Sequence, residues 1–137
     1  MNNNEERTLS IIKPDAVERK LENKIKNFFL ESGLRIADSK KIQITREEAE
    51  AFYKVHQSKP FYNDLCSYLS SGPIIVIILE GQNAIKENRR LMGATDPKEA
   101  AKGTIRFLYG ISIDKNSVHG SDSSDSAKKE IDFFFKN

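Results

Sequence analysis

The sequence predicts an α/β (α+β) fold: a ferredoxin-like split βαβ sandwich, a four-stranded antiparallel sheet with helices on its faces. Three observations carry this expectation. Ile74 to Leu79 is apolar at every position, the pattern of a strand buried on both faces and therefore central in its sheet. Apolar residues at helical spacing separate the strand-like runs, which puts helices between strands. The order itself is β-α-β-α-(α)-β-α, then a short strand and a helix, and it fits a split βαβ arrangement.

Each element has its own local reason. Thr8 to Ile12 is apolar and β-prone, and Lys13-Pro14-Asp15 ends it as a turn. Leu21, Ile25, Phe28 and Phe29 recur at helical spacing, and Ser32-Gly33 closes that helix. Leu34 to Ile44 reads as the second strand, with Ile42 and Ile44 alternating against polar neighbours. Thr45 and Glu48 have the spacing of a capping box and open the next helix. Pro60 interrupts the helical region, and a short helix is predicted from about Phe61 to Leu69. Gly72-Pro73 turns the chain into the apolar strand. Ala84, Ile85, Asn88, Leu91 and Met92 predict a further helix, ended by Gly93. From Gly93 to about Gly120 the chain is rich in Gly, Thr, Asp, Pro and Asn and lacks helical periodicity. A loop that long inside one domain usually has a function. Ser123 and Asp125 begin a last helix, whose Ala127, Ile131, Phe134 and Phe135 are expected to face the core.

The chain has 137 residues, 38% hydrophobic and 31% charged. That is an ordinary globular composition, read as one domain over residues 1–137. Lys and Arg number 22 against 20 Asp and Glu, a net charge of +2. A balance so small does not argue for nucleic acid or a membrane as the main partner, and it still allows a local basic cleft. Cys66 is the only cysteine, so no intramolecular disulfide can form; beside Leu65, Tyr68 and Leu69 it reads as a small buried apolar residue. Met1 to Arg7 is polar and charged, without an apolar core of signal-peptide length, and Ile74 to Leu79 is too short to span a bilayer. A cytoplasmic location is expected.

Chemistry centres on His119, in Asn116-Ser117-Val118-His119-Gly120-Ser121-Asp122, where a short β-prone piece meets a helix start. Imidazole is largely neutral near neutral pH and, unlike a serine hydroxyl, attacks phosphorus without a separate base. Gly120 leaves room for a phosphate, and the nearby helix N-terminus favours an anion. Glu130 on that helix can reach back to orient the ring, through Ser121. Chemistry alone leaves open a second reading, a loop histidine satisfied by a backbone carbonyl. His56 sits on a helical stretch and reads as a surface residue. Phosphate transfer also needs cations and donors to hold phosphates and spread charge. The candidates are Lys13, Arg89, Arg90, Thr95, Thr104 and Arg106; Phe61 and Tyr53 offer aromatic faces. The chain has no G-x-x-x-x-G-K-[ST] loop, no G-x-G-x-x-G, no Cys/His cluster with zinc spacing and no RNP-like aromatic motif. A nucleotide enzyme built on this sequence must work without them, which is compatible with a covalent histidine.

The segment Asn116-Ser117-Val118-His119-Gly120-Ser121-Asp122-Ser123 resembles the active-site motif of nucleoside diphosphate kinases. Five supporting segments stand in the family's order: Ser10 to Val17, Lys59-Pro60-Phe61-Tyr62, Ser71-Gly72-Pro73, Met92 to Pro97 and Gly103-Thr104-Ile105-Arg106. The likeness runs from about Arg7 to Phe135. It implies a ping-pong reaction in which a nucleoside triphosphate phosphorylates His119 and a second diphosphate collects the phosphoryl group. It further implies that Lys13 and Asn116 hold the sugar and neighbouring phosphate oxygens. Arg89, Thr95 and Arg106 would hold phosphates, Phe61 would stack on the base, Tyr53 would line the site, and Ser121 and Glu130 would buttress the histidine. Magnesium (Mg2+) would travel with the nucleotide, with no protein metal ligand, and the protein would be a homo-oligomer, tetramer or hexamer. Three departures stand out. No glycine occurs near Leu21-Glu22-Asn23; Phe107-Leu108-Tyr109 replaces a small residue, Asp and an aromatic after Arg106; and the sequence ends at Asn137, without the extension many members use at subunit contacts. Two other classes compete, a nucleic-acid-binding or regulatory module that has lost catalysis and a phosphohistidine carrier acting on a protein. Against them stand the balanced charge and the nucleotide-binding set Lys13, Phe61, Arg89 and Asn116.

Overall fold

The computed structural model describes residues 5–113 and 115–135. The chain begins with strand β1 (Glu5–Ile12), short helix α1 (Pro14–Glu18) and helix α2 (Glu22–Glu31), and returns as β2 (Arg35–Ile42). Helices α3 (Arg46–Phe52) and α4 (Tyr62–Leu69) lead into β3 (Ile74–Gln82) and then α5 (Ala84–Met92). A short α6 (Ile105–Tyr109), the strand β4 (Val118–Gly120) and α7 (Ser124–Phe135) complete the order. The strands form one sheet, ordered β2-β3-β1-β4, and every pairing is antiparallel. β3 lies between β1 and β2, and β1 between β3 and β4, which is the split βαβ topology predicted from the element order.

Alternation along the two central strands builds the core. On β3, Ile75, Ile77 and Leu79 join Ile25 and Phe29 of α2 and Leu91 of α5 on one face of the sheet. Ile74 and Val76 join Leu9 and Ile11 of β1, Ala49 of α3, Leu69 of α4 and Phe134 of α7 on the other. Successive side chains of a strand point to opposite faces, so a strand with helices on both sides needs apolar residues at every position. That is the physical content of the unbroken run Ile74 to Leu79.

Thr45 accepts from the backbone N–H of Glu48 while the Glu48 side chain accepts from the Thr45 N–H, so the predicted capping box starts α3. Ala127 and Phe134 are buried and Ile131 and Phe135 half-buried, the face of α7 expected to meet the core.

Three expectations are corrected. Lys13-Pro14-Asp15 is not a plain turn: Pro14 is the first residue of α1, where its missing N–H costs nothing. The second strand is shorter than Leu34 to Ile44, and a bulge between Ile36 and Asp38 shifts its register. The stretch from Gly93 to Gly120 is not helix-free; Thr104 accepts from the Phe107 N–H and caps α6. Five residues are too few to show a periodicity, and only the cap announces that helix.

Candidate active site

Sheet register places the histidine. His119 pairs with Ile11 across the β1–β4 ladder, and residues directly opposite share a face. Ile11 belongs to the side packed by α3, α4 and α7, so the imidazole projects toward those helices. Lys13 follows two residues after Ile11, and its backbone N–H donates to the Ser117 carbonyl (2.8 Å). Gly120 lies flush against α5: a Cβ there would sit 2.4 Å from Asn88 Nδ2 and 2.8 Å from Met92 Cε. That close approach brings the helix carrying Arg89 alongside the histidine strand.

His119 Nε2 lies 3.0 Å from Glu130 Oε1, and Ser121 Oγ donates to the same oxygen at 2.7 Å. A carboxylate only accepts, so the tautomer this contact selects carries its proton on Nε2. Nδ1 therefore carries the free lone pair. The imidazole is bordered by the Phe52 ring (centroids 5.3 Å apart, planes at 72°) and the Tyr53 ring (6.5 Å, 87°). Burial, then the Glu130 charge, push the Tyr53 phenol well above its ordinary range.

This ring faces a cleft of about 620 Å³ that is also lined by Lys13, Tyr53, Phe61, Arg89, Thr95, Arg106, Asn116 and Glu130. The structure thus gathers in one cavity every residue to which the family resemblance gives a role except Ser121, which stands behind Glu130. Asn116 ties three chain segments together: its Oδ1 accepts from Lys13 Nζ (2.9 Å) and its Nδ2 donates to the Thr95 carbonyl (3.0 Å). Arg106 ties the end of α5 to β4, donating to the carbonyls of Gly93 (3.0 Å) and Val118 (2.9 Å). Its Nε is buried without a hydrogen-bond partner among the described residues. Burial, then the neighbouring Arg89 charge, pull its guanidinium down to about 10. A cation held at such a disadvantage is relieved by an incoming anion.

Two of the candidates lie elsewhere. Arg90 is exposed and paired with Glu87, and the Thr104 hydroxyl donates to the Ala101 carbonyl while capping α6. His56, read as a surface residue, instead lines the cleft with Val55, Ile113 and Asp122. Its ring lies between those of Tyr53 (6.2 Å) and Phe61 (6.0 Å). A single 3₁₀ turn at Lys54–His56 follows α3, and His56 stands three residues after Tyr53 and four after Phe52, a spacing that keeps it on the same inward side. Its closeness in sequence to Tyr53 and Phe61 was the available signal. Phe61 and Ile113 stay partly exposed (41% and 55%) at the cleft mouth, where two apolar faces can hold a flat ring.

A family model for nucleoside diphosphate kinase matches residues 6–137. The chain belongs to the nucleoside diphosphate kinase family. It is 58% identical over 130 residues, 95% of each chain, to the nucleoside diphosphate kinase of a Nitratiruptor species. To that of Campylobacter curvus it is 56% identical over 130 residues, again 95% of each. Its fold superposes on the Aquifex aeolicus nucleoside diphosphate kinase with a TM-score of 0.95 at 43% identity, covering 97% of this chain and 96% of that one. The Encephalitozoon cuniculi nucleoside diphosphate kinase gives 0.93 at 39%, covering 96% and 90%. The protein is accordingly a phosphotransferase: it moves the γ-phosphate of a nucleoside triphosphate to a nucleoside diphosphate. No helix among the described residues is long and apolar enough to cross a membrane.

Proposed function

We propose that this transfer runs in two half-reactions through His119. In the first, the Nδ1 lone pair attacks the γ-phosphorus, the bond to the bridging oxygen breaks, and the diphosphate departs with that electron pair. In the second, a terminal oxygen of another diphosphate attacks the phosphorus and the N–P bond electrons return to Nδ1. The observation that carries this reading is the 3.0 Å contact of Nε2 with Glu130, which leaves Nδ1 as the nucleophile. The ring becomes cationic when phosphorylated, and the Glu130 carboxylate, steadied by Ser121, stabilises that charge.

Lys13 and Asn116 hold the sugar and neighbouring phosphate oxygens, while Arg89, Thr95 and Arg106 hold the phosphates. Phe61 stacks on the base, an interaction open to any base because every base has a π-face. Tyr53 forms the cleft wall behind the histidine. Magnesium enters as part of the substrate, carried on the phosphates, and the protein's own charge compensation comes from Lys13, Arg89 and Arg106. The 137-residue domain works in the cytoplasm as a homo-oligomer, tetramer or hexamer.

Incubation with γ-labelled ATP tests the pathway. Wild type is expected to carry acid-labile, base-stable label that GDP or CDP removes, and His119→Ala to carry none. Transfer by His119→Ala at the wild-type rate would overturn the proposal.

A further inference from the structure

We infer that Phe52 is a positioning residue for the phosphoryl-carrying imidazole: its ring fixes the plane of His119. The inference rests on His119 being the carrier. Glu130 holds His119 at one atom, Nε2, and one hydrogen bond leaves a ring free to pivot about the donor–acceptor line. Phe52 removes that freedom. Its centroid lies 5.3 Å from that of the imidazole, with the planes at 72°, within the edge-to-face geometry that aromatic rings prefer.

The Phe52 ring is itself held. It is the last residue of α3, and it packs 5.2 Å from Phe134 and 5.7 Å from Phe133, both on α7. Glu130 lies on that same helix. The carboxylate that fixes one ring atom and the ring that fixes the plane therefore share one aromatic junction between α3 and α7. A small shift of this junction moves both restraints together, and attack on phosphorus is sensitive to such displacements.

The test compares wild type with Phe52→Leu, which keeps an apolar side chain without the ring, and Phe52→Tyr, which restores the ring. Phe52→Met serves as a second ringless variant should the leucine protein unfold. In the ringless enzyme kcat is expected to fall about tenfold with KM for ATP and GDP within about twofold, because ground-state binding is untouched. The tyrosine variant is expected to recover the wild-type kcat. A ringless enzyme with wild-type kcat overturns the inference, as does a tyrosine variant as impaired as the ringless one. Wild type unlabelled at His119 overturns the carrier reading instead, which separates the two failures.

Discussion

Glu130 accepts from His119 and Ser121 through one oxygen, and in the proposed mechanism this shared acceptor leaves Nδ1 as the nitrogen that reacts. Around it, charge is unbalanced: Arg106 is 8% exposed with Arg89 as a neighbour and a guanidinium pulled down to about 10. His56 adds a second disfavoured cation. Burial, then the charges of Lys59 and His119, lower its imidazole below the usual histidine range. The unfolded chain takes up that proton more readily than the folded one, so stability falls as pH drops through the ordinary histidine range. Urea unfolding at pH 8 and pH 5.5 checks this: the loss of stability at the lower pH should be smaller in His56→Gln than in wild type. An equal loss in both proteins would contradict it.

At the scale of elements, α3 delivers Phe52 and Tyr53 to the histidine, and its start is fixed by the Thr45–Glu48 capping box. Thr45→Ala should cost about 1 kcal/mol of folding stability, read by urea unfolding, with kcat unchanged at temperatures where the protein stays folded. This helix start was legible because capping is local chemistry, carried by two side chains three residues apart. The same holds for Lys13, Phe61, Arg106 and His119, which stand in short ordered motifs. Arg90 was not separable from Arg89 by composition, although its pairing partner Glu87 stands three residues earlier on the same helix, a spacing that points away from the cleft. The capping role of Thr104 and α6 itself escaped notice because a five-residue helix leaves no periodicity, and the hydroxyl offered as a phosphate ligand was already used as a cap. The unusual Phe107-Leu108-Tyr109 is tied down differently at each position. The Tyr109 carbonyl accepts from Arg19 and its ring meets Phe28 edge-on at 6.5 Å, while Phe107 and Leu108 remain exposed at 44% and 50%.

Across the whole molecule, the cleft residues come from α4, α5, α6, β4 and α7, from the ends of β1 and α3 and from the segments between elements. No single motif makes the site; the split βαβ topology does, by laying β4 beside β1 and α5 against β4. The sheet itself was readable from alternation and from the unbroken apolar run, because burial imposes those patterns. Loop trajectories such as the Asn116 bridge between Lys13 and Thr95 depend on contacts between residues far apart in the chain and leave no local trace. A ligand that draws on so many elements should stabilise all of them. ADP at about 100-fold over its Kd should add about 2.7 kcal/mol and raise Tm by about 10 °C in a thermal melt, and no shift at saturation would contradict the proposed cleft.

The central claim is the identity of the reacting atom. Nuclear magnetic resonance of the phosphoenzyme made with ATP, correlating 31P with the ring nitrogens of a 15N-histidine-labelled protein, reads it directly. Phosphorus bonded to Nδ1 of His119, with Nε2 still protonated toward Glu130, is the predicted result. Phosphorus on Nε2, or on any other residue, would contradict it.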